Sequence, residues 1–289
     1  MGKKILVTGF TGNAGHQVAL SLLDRGSAFH AAVRNVGKAK AEYGGQFQYV
    51  PFDLMDPASF DKALQGIDRV FLMYPPNACG PEWIKAFVDN CRNKGVRHIV
   101  YLSVKDVQYM PFLPHYQNEK AIQKSGISYT FLRAGYFMQN FNLFLLDEIL
   151  KNNRIYVPAG KGKTSFVDVR DVADAAALVL NDPIVHRNKS YTLTGNEALT
   201  FYDAAKLLSA YTGREITYAS PSSKEFQHYM RQKGTDPDFV KIAARLHMLT
   251  KYGFAKGIAE DFQKLMNKAA TSLEQYFEDY REDFQKDQE

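Results

Sequence analysis

Short apolar runs and amphipathic stretches alternate along the first half of the chain. Ile5 to Val7 is a run of strand formers, a glycine-rich turn follows at once, and apolar positions from Ala14 to Arg25 then recur at helical period. The same order repeats. Ala28 to Val33 reads as a strand before a Lys-rich helix. Gln46 to Phe52 is a strand ending at Asp53, before a short helix from Pro57 to Leu64 with Asp56 placed to cap it. Arg69 to Tyr74 and Val96 to Ser103 are strands separated by a helix from Glu82 to Lys94 that stops at Gly95. A helix from Tyr116 to Lys124 stops at Gly126, and Ile127 to Leu132 is the sixth strand. Six strand and helix pairs predict an α/β fold: parallel strands need crossovers, and the crossover helices cover both faces of the sheet.

Beyond about residue 135 the rhythm changes. Helices are expected at Asn140 to Lys151, Asp171 to Leu180 and Thr200 to Tyr211, and short strands at Ser165 to Val169, Ser190 to Thr194 and Glu215 to Ala219. From Ser222 onward the pattern is nearly all helical, and Thr271-Ser272-Leu273-Glu274 has the form of a capping box. The expected division is a dinucleotide domain at 1–134, with 165–181 returning to it, and a smaller, mostly helical substrate-binding region at 135–164 and 182–289.

Composition narrows the function classes. Net charge is +5, from 36 basic and 31 acidic residues mixed along the chain. That suits an anionic cofactor and makes no case for nucleic acid. The two cysteines, Cys79 and Cys91, give neither a disulfide framework nor a metal-ligand spacing, so no metal is expected and a reduced, cytoplasmic setting fits. The apolar run after Lys3 and Lys4 is broken by Thr8 and Gly9, as a first strand would be and a signal peptide would not. The longest uncharged apolar stretch, Ala134 to Leu146, is too short to span a bilayer. A soluble monomer or homodimer acting on a small molecule is expected.

The turn Thr8-Gly9-Phe10-Thr11-Gly12-Asn13-Ala14-Gly15 carries the first candidate chemistry. Glycines between a strand and a helix let the backbone approach a pyrophosphate, and the helix N-terminus offers free N–H groups to it. Thr8, Gly9, Thr11, Gly12, Asn13, Ala14 and Gly15 are therefore candidate cofactor-binding residues. In a parallel α/β sheet, ligands bind outside the carboxyl ends of the strands. Arg34, Asp53, Tyr74 and Ser103 all fall at such ends.

Together with Phe166-Val167-Asp168-Val169-Arg170-Asp171-Val172-Ala173 and Gly126-Ile127-Ser128-Tyr129-Thr130-Phe131-Leu132-Arg133, this turn resembles the NmrA-like branch of the atypical short-chain dehydrogenases. The resemblance runs over most of the chain. It implies a Rossmann-type doubly wound sheet and an NAD(P)H-dependent reductase, or alternatively a regulator that senses the dinucleotide without turning it over. It also implies that the residue after the second strand selects the cofactor. Arg34 stands there, with Lys38 and Lys40 behind it, which favours a 2′-phosphate and so NADP(H) over NAD(H). Asp53 would hold the adenine amino group, and Tyr74 would flank the nicotinamide ribose.

Tyr116 and Lys120 form a Tyr-x-x-x-Lys pair, four apart and so on one helix face, where an ammonium can lower a phenol pKa. The pattern also occurs at Tyr101/Lys105, Tyr202/Lys206, Tyr229/Lys233 and Tyr252/Lys256, so position must select among them. Only Tyr116/Lys120 opens the helix after the fifth strand, with Ser103 at that strand's end. Ser103, Tyr116 and Lys120 are thus the expected catalytic set, with Lys120 also on the cofactor. Tyr109, Phe112, His115, Phe137, Met138 and Phe141 are expected around a flat apolar substrate such as a quinone, azo compound or enone, at least half of the aromatic and Met positions being core instead.

Overall fold

A computed structural model describes residues 4–75 and 80–285; Cys79 lies outside them. In chain order the elements are β1 (Lys4–Val7), α1 (Asn13–Asp24), β2 (Phe29–Val33), α2 (Val36–Tyr43), β3 (Tyr49–Pro51), α3 (Phe60–Ala63), β4 (Ile67–Met73), α4 (Glu82–Asn93), β5 (His98–Val104), α5 (Pro114–Lys124) and β6 (Ser128–Ala134). There follow β7 (Tyr136–Phe137), α6 (Asn140–Leu143), α7 (Leu146–Asn152), β8 (Arg154–Tyr156), β9 (Lys163–Thr164), β10 (Phe166–Val167), α8 (Val169–Asn181) and β11 (Lys189–Leu193). The remainder is β12 (Leu199–Thr200), α9 (Phe201–Thr212), β13 (Thr217–Ala219), α10 (Ser223–Gln232), α11 (Pro237–Lys251), α12 (Asp261–Met266), α13 (Leu273–Asp279) and α14 (Arg281–Gln285).

The chain forms two compact units, one of Met1–Ala134 with Val169–Leu193 and one of Gly135–Asp168 with Thr194–Glu289. The first is a seven-stranded parallel sheet in the order β11-β6-β5-β4-β1-β2-β3. This is the doubly wound Rossmann arrangement, with the chain reversing direction across the sheet between β1 and β4. The central strands are apolar runs because helices cover both faces: all of β5 but its last residue is buried. Ile84, Phe87 and Val88 of α4 and Ile122 of α5 join Phe60, Phe71's neighbours Val70 and Leu72, Tyr101 and Phe131 in the core. Each buried aromatic or aliphatic side chain contributes about 1.5–3 kcal/mol.

On another flank α1 packs beside α8, fastened by Ser21 Oγ donating to Asp174 Oδ1 at 2.7 Å. β11 differs from its expected place in the second region. It hydrogen-bonds in parallel register to β6, Lys189 opposite Thr130 through Leu193 opposite Ala134, and so belongs to the large sheet.

The second unit has its own core around Phe141, Phe166, Phe201, Tyr276 and Phe277. Two details differ from the pattern reading. The expected helix from Asn140 to Lys151 is broken into α6 and α7, and the cap near residue 272 is Ser272 itself, accepting from Gln275 N–H at 3.0 Å, with α14 still to follow. Glu148 is nearly sealed and accepts from Tyr229 Oη, Lys233 Nζ and Arg154 Nε at 2.6–2.8 Å. Burial pushes its carboxyl up, but the three donors outweigh burial and hold it at about 2.

Candidate active site

The turn after β1 uses glycine at two positions for different reasons. Gly9 has φ +66°, and a Cβ there would lie 2.0 Å from Met73 Sδ. Gly15 sits in the first turn of α1, where a Cβ would lie 2.2 Å from the Gly9 carbonyl oxygen and 2.9 Å from Phe10 N. The helix is thereby drawn against the turn, and Gly12 N–H closes it onto Gly9 O at 2.9 Å. Gly12 is the N-cap of α1 with no side-chain cap, and the first turn carries no acidic residue. Its leading N–H groups lack intrahelical partners and sit at the positive end of a 12-residue helix. This is a cradle for an anion.

Beneath the turn lies an aromatic cluster. Phe10 is fully buried and meets the rings of His16, Tyr43, Phe47 and Tyr49 edge-on at 4.9–5.6 Å between centroids. The Tyr43 hydroxyl also donates to the Thr11 carbonyl at 3.3 Å. Phe10→Ala should cost about 3–5 kcal/mol and slacken the turn. Urea unfolding will show the loss, and dinucleotide affinity should fall along with it.

Other candidates stand as follows. The Thr8 hydroxyl is committed to the sheet, donating to Phe71 O at 3.0 Å and accepting from Met73 N–H at 3.1 Å, so its side chain is structural. Arg34 is exposed at the end of β2, with no hydrogen bond or ion pair to any described residue, while Asn35 caps α2 by accepting from Lys38 N–H. Lys38 and Lys40 are exposed. Asp53 uses Oδ1 to accept from Met55 N–H at 3.0 Å, and its backbone is clasped by Ser59 Oγ. Tyr74 is half-buried, its ring edge-on to His115 at 5.7 Å.

Of the expected set Ser103, Tyr116 and Lys120, Tyr116 is half-buried and Lys120 exposed, and no hydrogen bond joins either to Ser103. Asn118 and Ile122 of α5 are fully buried, and Asn118 Nδ2 donates to the Tyr101 hydroxyl of β5 at 2.9 Å, which turns the 115/118/122 stripe inward. Tyr116 and Lys120 share a neighbouring face of the helix, on which Tyr116 is half-buried. Lys120 is exposed; its ammonium hydrogen-bonds Gln123 Oε1 at 3.2 Å and lies 5.4 Å from the Tyr116 ring centroid. Ser103 remains on β5, 2% exposed, its hydroxyl without a partner.

The residue of α5 that turns toward β5 is His115, whose Nδ1 lies 2.9 Å from the Tyr101 hydroxyl. Burial lowers its pKa to about 4, so the imidazole is neutral near pH 7. Tyr101 and Asn118 are candidates that sequence reasoning missed. One signal was available: Tyr101 is two residues before Ser103 on one strand, hence on the same side of the sheet.

Glu119 and Arg133 form a bidentate pair at 2.7 and 3.0 Å that ties α5 to β6, and Arg133 Nη1 also reaches Gln108 Oε1 at 2.9 Å. Of the expected pocket residues in the first unit, Tyr109 and Phe112 are 77% and 78% exposed. In the second unit Met138 and Phe141 are sealed in the core, Phe141 against Phe166, Phe201 and Phe277, so they are packing residues; Phe137 is half-buried. Among the described residues no group of three or more His, Cys, Asp or Glu is placed to hold a metal, and no helix is long and apolar enough to cross a membrane.

Comparison with known proteins adds a second line of evidence. The chain is 29% identical to an NAD(P)H azoreductase of Xenophilus azovorans, over 94% of this chain and 96% of that one. Its structure is similar to that of the Citrobacter sp. triphenylmethane reductase complexed with NADP(H), with a TM-score of 0.83, 27% identity, and coverage of 96% and 99% of the two chains. It is likewise similar to an Escherichia coli NADPH-dependent quinone oxidoreductase complexed with NADPH, with a TM-score of 0.85, 27% identity, and coverage of 96% and 98%. The NmrA-like family model matches residues 1–277. The chain belongs to the NmrA-like family.

Proposed function

We propose that this protein is an NADPH-dependent reductase that passes hydride to a small apolar acceptor such as a quinone, an azo compound or an enone. The observation that carries the reading is the cradle at Gly9 and Gly15: Gly9 turns the chain at φ +66°, and at Gly15 the backbone of Gly9 and Phe10 stands in the space that a Cβ would fill. The names of its relatives, an azoreductase, a quinone oxidoreductase and a triphenylmethane reductase, supply the acceptor class. NADPH would bring the hydride. The N–H groups at the start of α1, with Gly12 and Asn13, hold the pyrophosphate; Arg34 pairs with the 2′-phosphate; Asp53 keeps Oδ2 for the adenine amino group. Two cysteines without a disulfide framework suit a cytoplasmic setting, and we place the protein there as a monomer or homodimer.

Arg34→Ala should raise the NADPH dissociation constant about 10- to 100-fold, the worth of one charge-assisted hydrogen bond, and leave NADH affinity unchanged. Fluorescence titration with both nucleotides measures this, and an unaltered NADPH preference would remove Arg34 from the site. The reaction itself is tested by NADPH oxidation against a panel of quinones and azo dyes. Turnover with one of them supports the reductase; tight NADPH binding with no turnover on any of them supports a dinucleotide sensor. Lys120 is exposed and Tyr116 half-buried, so Ser103, Tyr116 and Lys120 do not by themselves argue against the sensor, and turnover has to decide.

A further inference from the structure

The inward face of α5 carries a connected chain of polar groups that the dinucleotide cradle does not use. Asn118 is fully buried and donates from Nδ2 to the Tyr101 hydroxyl at 2.9 Å. An amide NH₂ only donates, so the hydroxyl accepts there and directs its single proton to His115 Nδ1, 2.9 Å away. Burial raises the Tyr101 pKa and keeps that proton in place. His115 is held neutral by burial, and with Nδ1 accepting it carries its own proton on Nε2. Nε2 has no partner among the described residues and is not among the sealed polar atoms, on a residue that is half-buried.

A second observation points to the same place. Ser103 lies on the Tyr101 side of β5, one step nearer the strand's carboxyl end, with its buried hydroxyl unpartnered. Tyr74, at the end of β4, sets its ring against His115. Strand ends are where ligands bind in this fold. The imidazole of α5 that meets Tyr101 and the unpaired Ser103 hydroxyl thus belong to the same side of β5, with the Tyr74 ring beside the imidazole.

We propose that Asn118 and Tyr101 are positioning residues that fix His115 as the Nε2–H tautomer, and that this N–H is the hydrogen-bond donor to the carbonyl oxygen of a quinone-like acceptor. The inference rests on the reductase reading. Hydride delivered from the reduced dinucleotide, which is thereby oxidised, forms a C–H bond at the acceptor carbon conjugated to the carbonyl; the C=C pair shifts, the carbonyl π bond breaks and its electron pair moves onto oxygen as an enolate, which tautomerises to the hydroquinone once protonated. Nε2–H stabilises that charge and keeps its proton, since a neutral imidazole is far too weak an acid to release it. Water supplies the proton that completes the hydroxyl group of the product.

The test compares wild type with His115→Phe, His115→Gln and Tyr101→Phe, using menadione as acceptor. His115→Phe should lower kcat about 10²-fold, the usual cost of one donor to a developing oxyanion, with NADPH affinity unchanged. His115→Gln, which still presents an N–H, should recover most of that loss, and Tyr101→Phe should lower kcat by a smaller factor without raising KM. A readout independent of turnover is the imidazole nitrogen spectrum of the unliganded protein: Nε2–H in wild type, a tautomer mixture in Tyr101→Phe. Full kcat in His115→Phe, or an Nδ1–H imidazole in wild type, overturns the inference while leaving the reductase reading intact. Wild type that reduces neither menadione nor any other acceptor overturns both.

Discussion

Gly15→Val should abolish useful NADPH binding, weakening it by at least about 100-fold. A single Cβ at this position would stand 2.2 Å from the Gly9 carbonyl oxygen and 2.5 Å from its carbon, both backbone atoms that cannot swing aside. The start of α1 must then move off the turn by about an ångström, and a displacement of that size in a positioned site is worth roughly 10²-fold. Overpacking of this kind also costs about 1–3 kcal/mol of stability. The expected result is therefore a protein that still folds, by circular dichroism and a cooperative melt, but does not titrate with NADPH. Gly9→Ala makes a milder comparison, because the Met73 side chain that its Cβ would strike can turn away, leaving chiefly the strain of φ +66°. Native affinity in Gly15→Val would mean that phosphates are not held at this turn.

That turn was legible in the sequence, and so was the sheet around it. Apolar runs such as Val96 to Ser103 have to be buried on both faces, and glycine stops at Gly26, Gly95 and Gly126 mark where each helix gives way to the next strand. Six of the seven sheet strands follow from that alternation. β11 was harder to assign, because Lys189 to Leu193 is half polar and only its pairing with β6 places it in the large sheet.

The faces of α5 are harder to read from sequence. A Tyr-x-x-x-Lys spacing says that two side chains share a face of α5 but not which face. Tyr116 is itself a large ring that competes with Ile122 as the marker of the buried side. Burial of Asn118 and Ile122 settles the phase, and the residue turned toward β5 is then His115, one position before the tyrosine. The pocket aromatics were ambiguous from the start: Met138 and Phe141 have the same composition whether they line a site or fill a core, and here they fill the core of the second unit.

A large loss of stability is expected between pH 6.5 and pH 4. His98 is 2% exposed, and both its ring nitrogens are engaged: Thr130 Oγ1 donates to the His186 carbonyl and so accepts from Nε2–H, while Ser128 Oγ donates to Nδ1. His247 is 6% exposed, donates Nδ1–H to the Ala243 carbonyl at 2.7 Å, and meets the Tyr136 hydroxyl through Nε2 at 3.3 Å. Burial lowers each to about 4, with the positive charges near His98 adding to the effect there.

A histidine near 6.5 in the unfolded chain and about 4 in the folded one binds fewer protons when folded. Its contribution is whole above pH 6.5 and is lost as pH falls toward 4, at roughly 3 kcal/mol for each such residue. With His115, also lowered to about 4, three such residues account for much of a stability that is typically about 5–15 kcal/mol. Glu148 adds little to this window: its folded value is about 2, so most of its stabilisation is lost between about pH 4.5 and 2. Urea titrations at intervals from pH 8 to pH 4 should show the midpoint falling steadily below 6.5. His98→Gln should start lower and fall less; an unchanged slope in that variant would mean that His98 titrates normally in the folded protein.

The central claim is that the chain spends NADPH to reduce an apolar acceptor. It is tested most directly by following both partners at once, under anaerobic conditions, with the purified protein, NADPH and a quinone or azo dye. The expected result is catalytic consumption of one NADPH for each acceptor reduced, through many turnovers per protein molecule, and a much lower rate at equal concentration of NADH. Saturable NADPH binding with no acceptor reduced across the panel would contradict it.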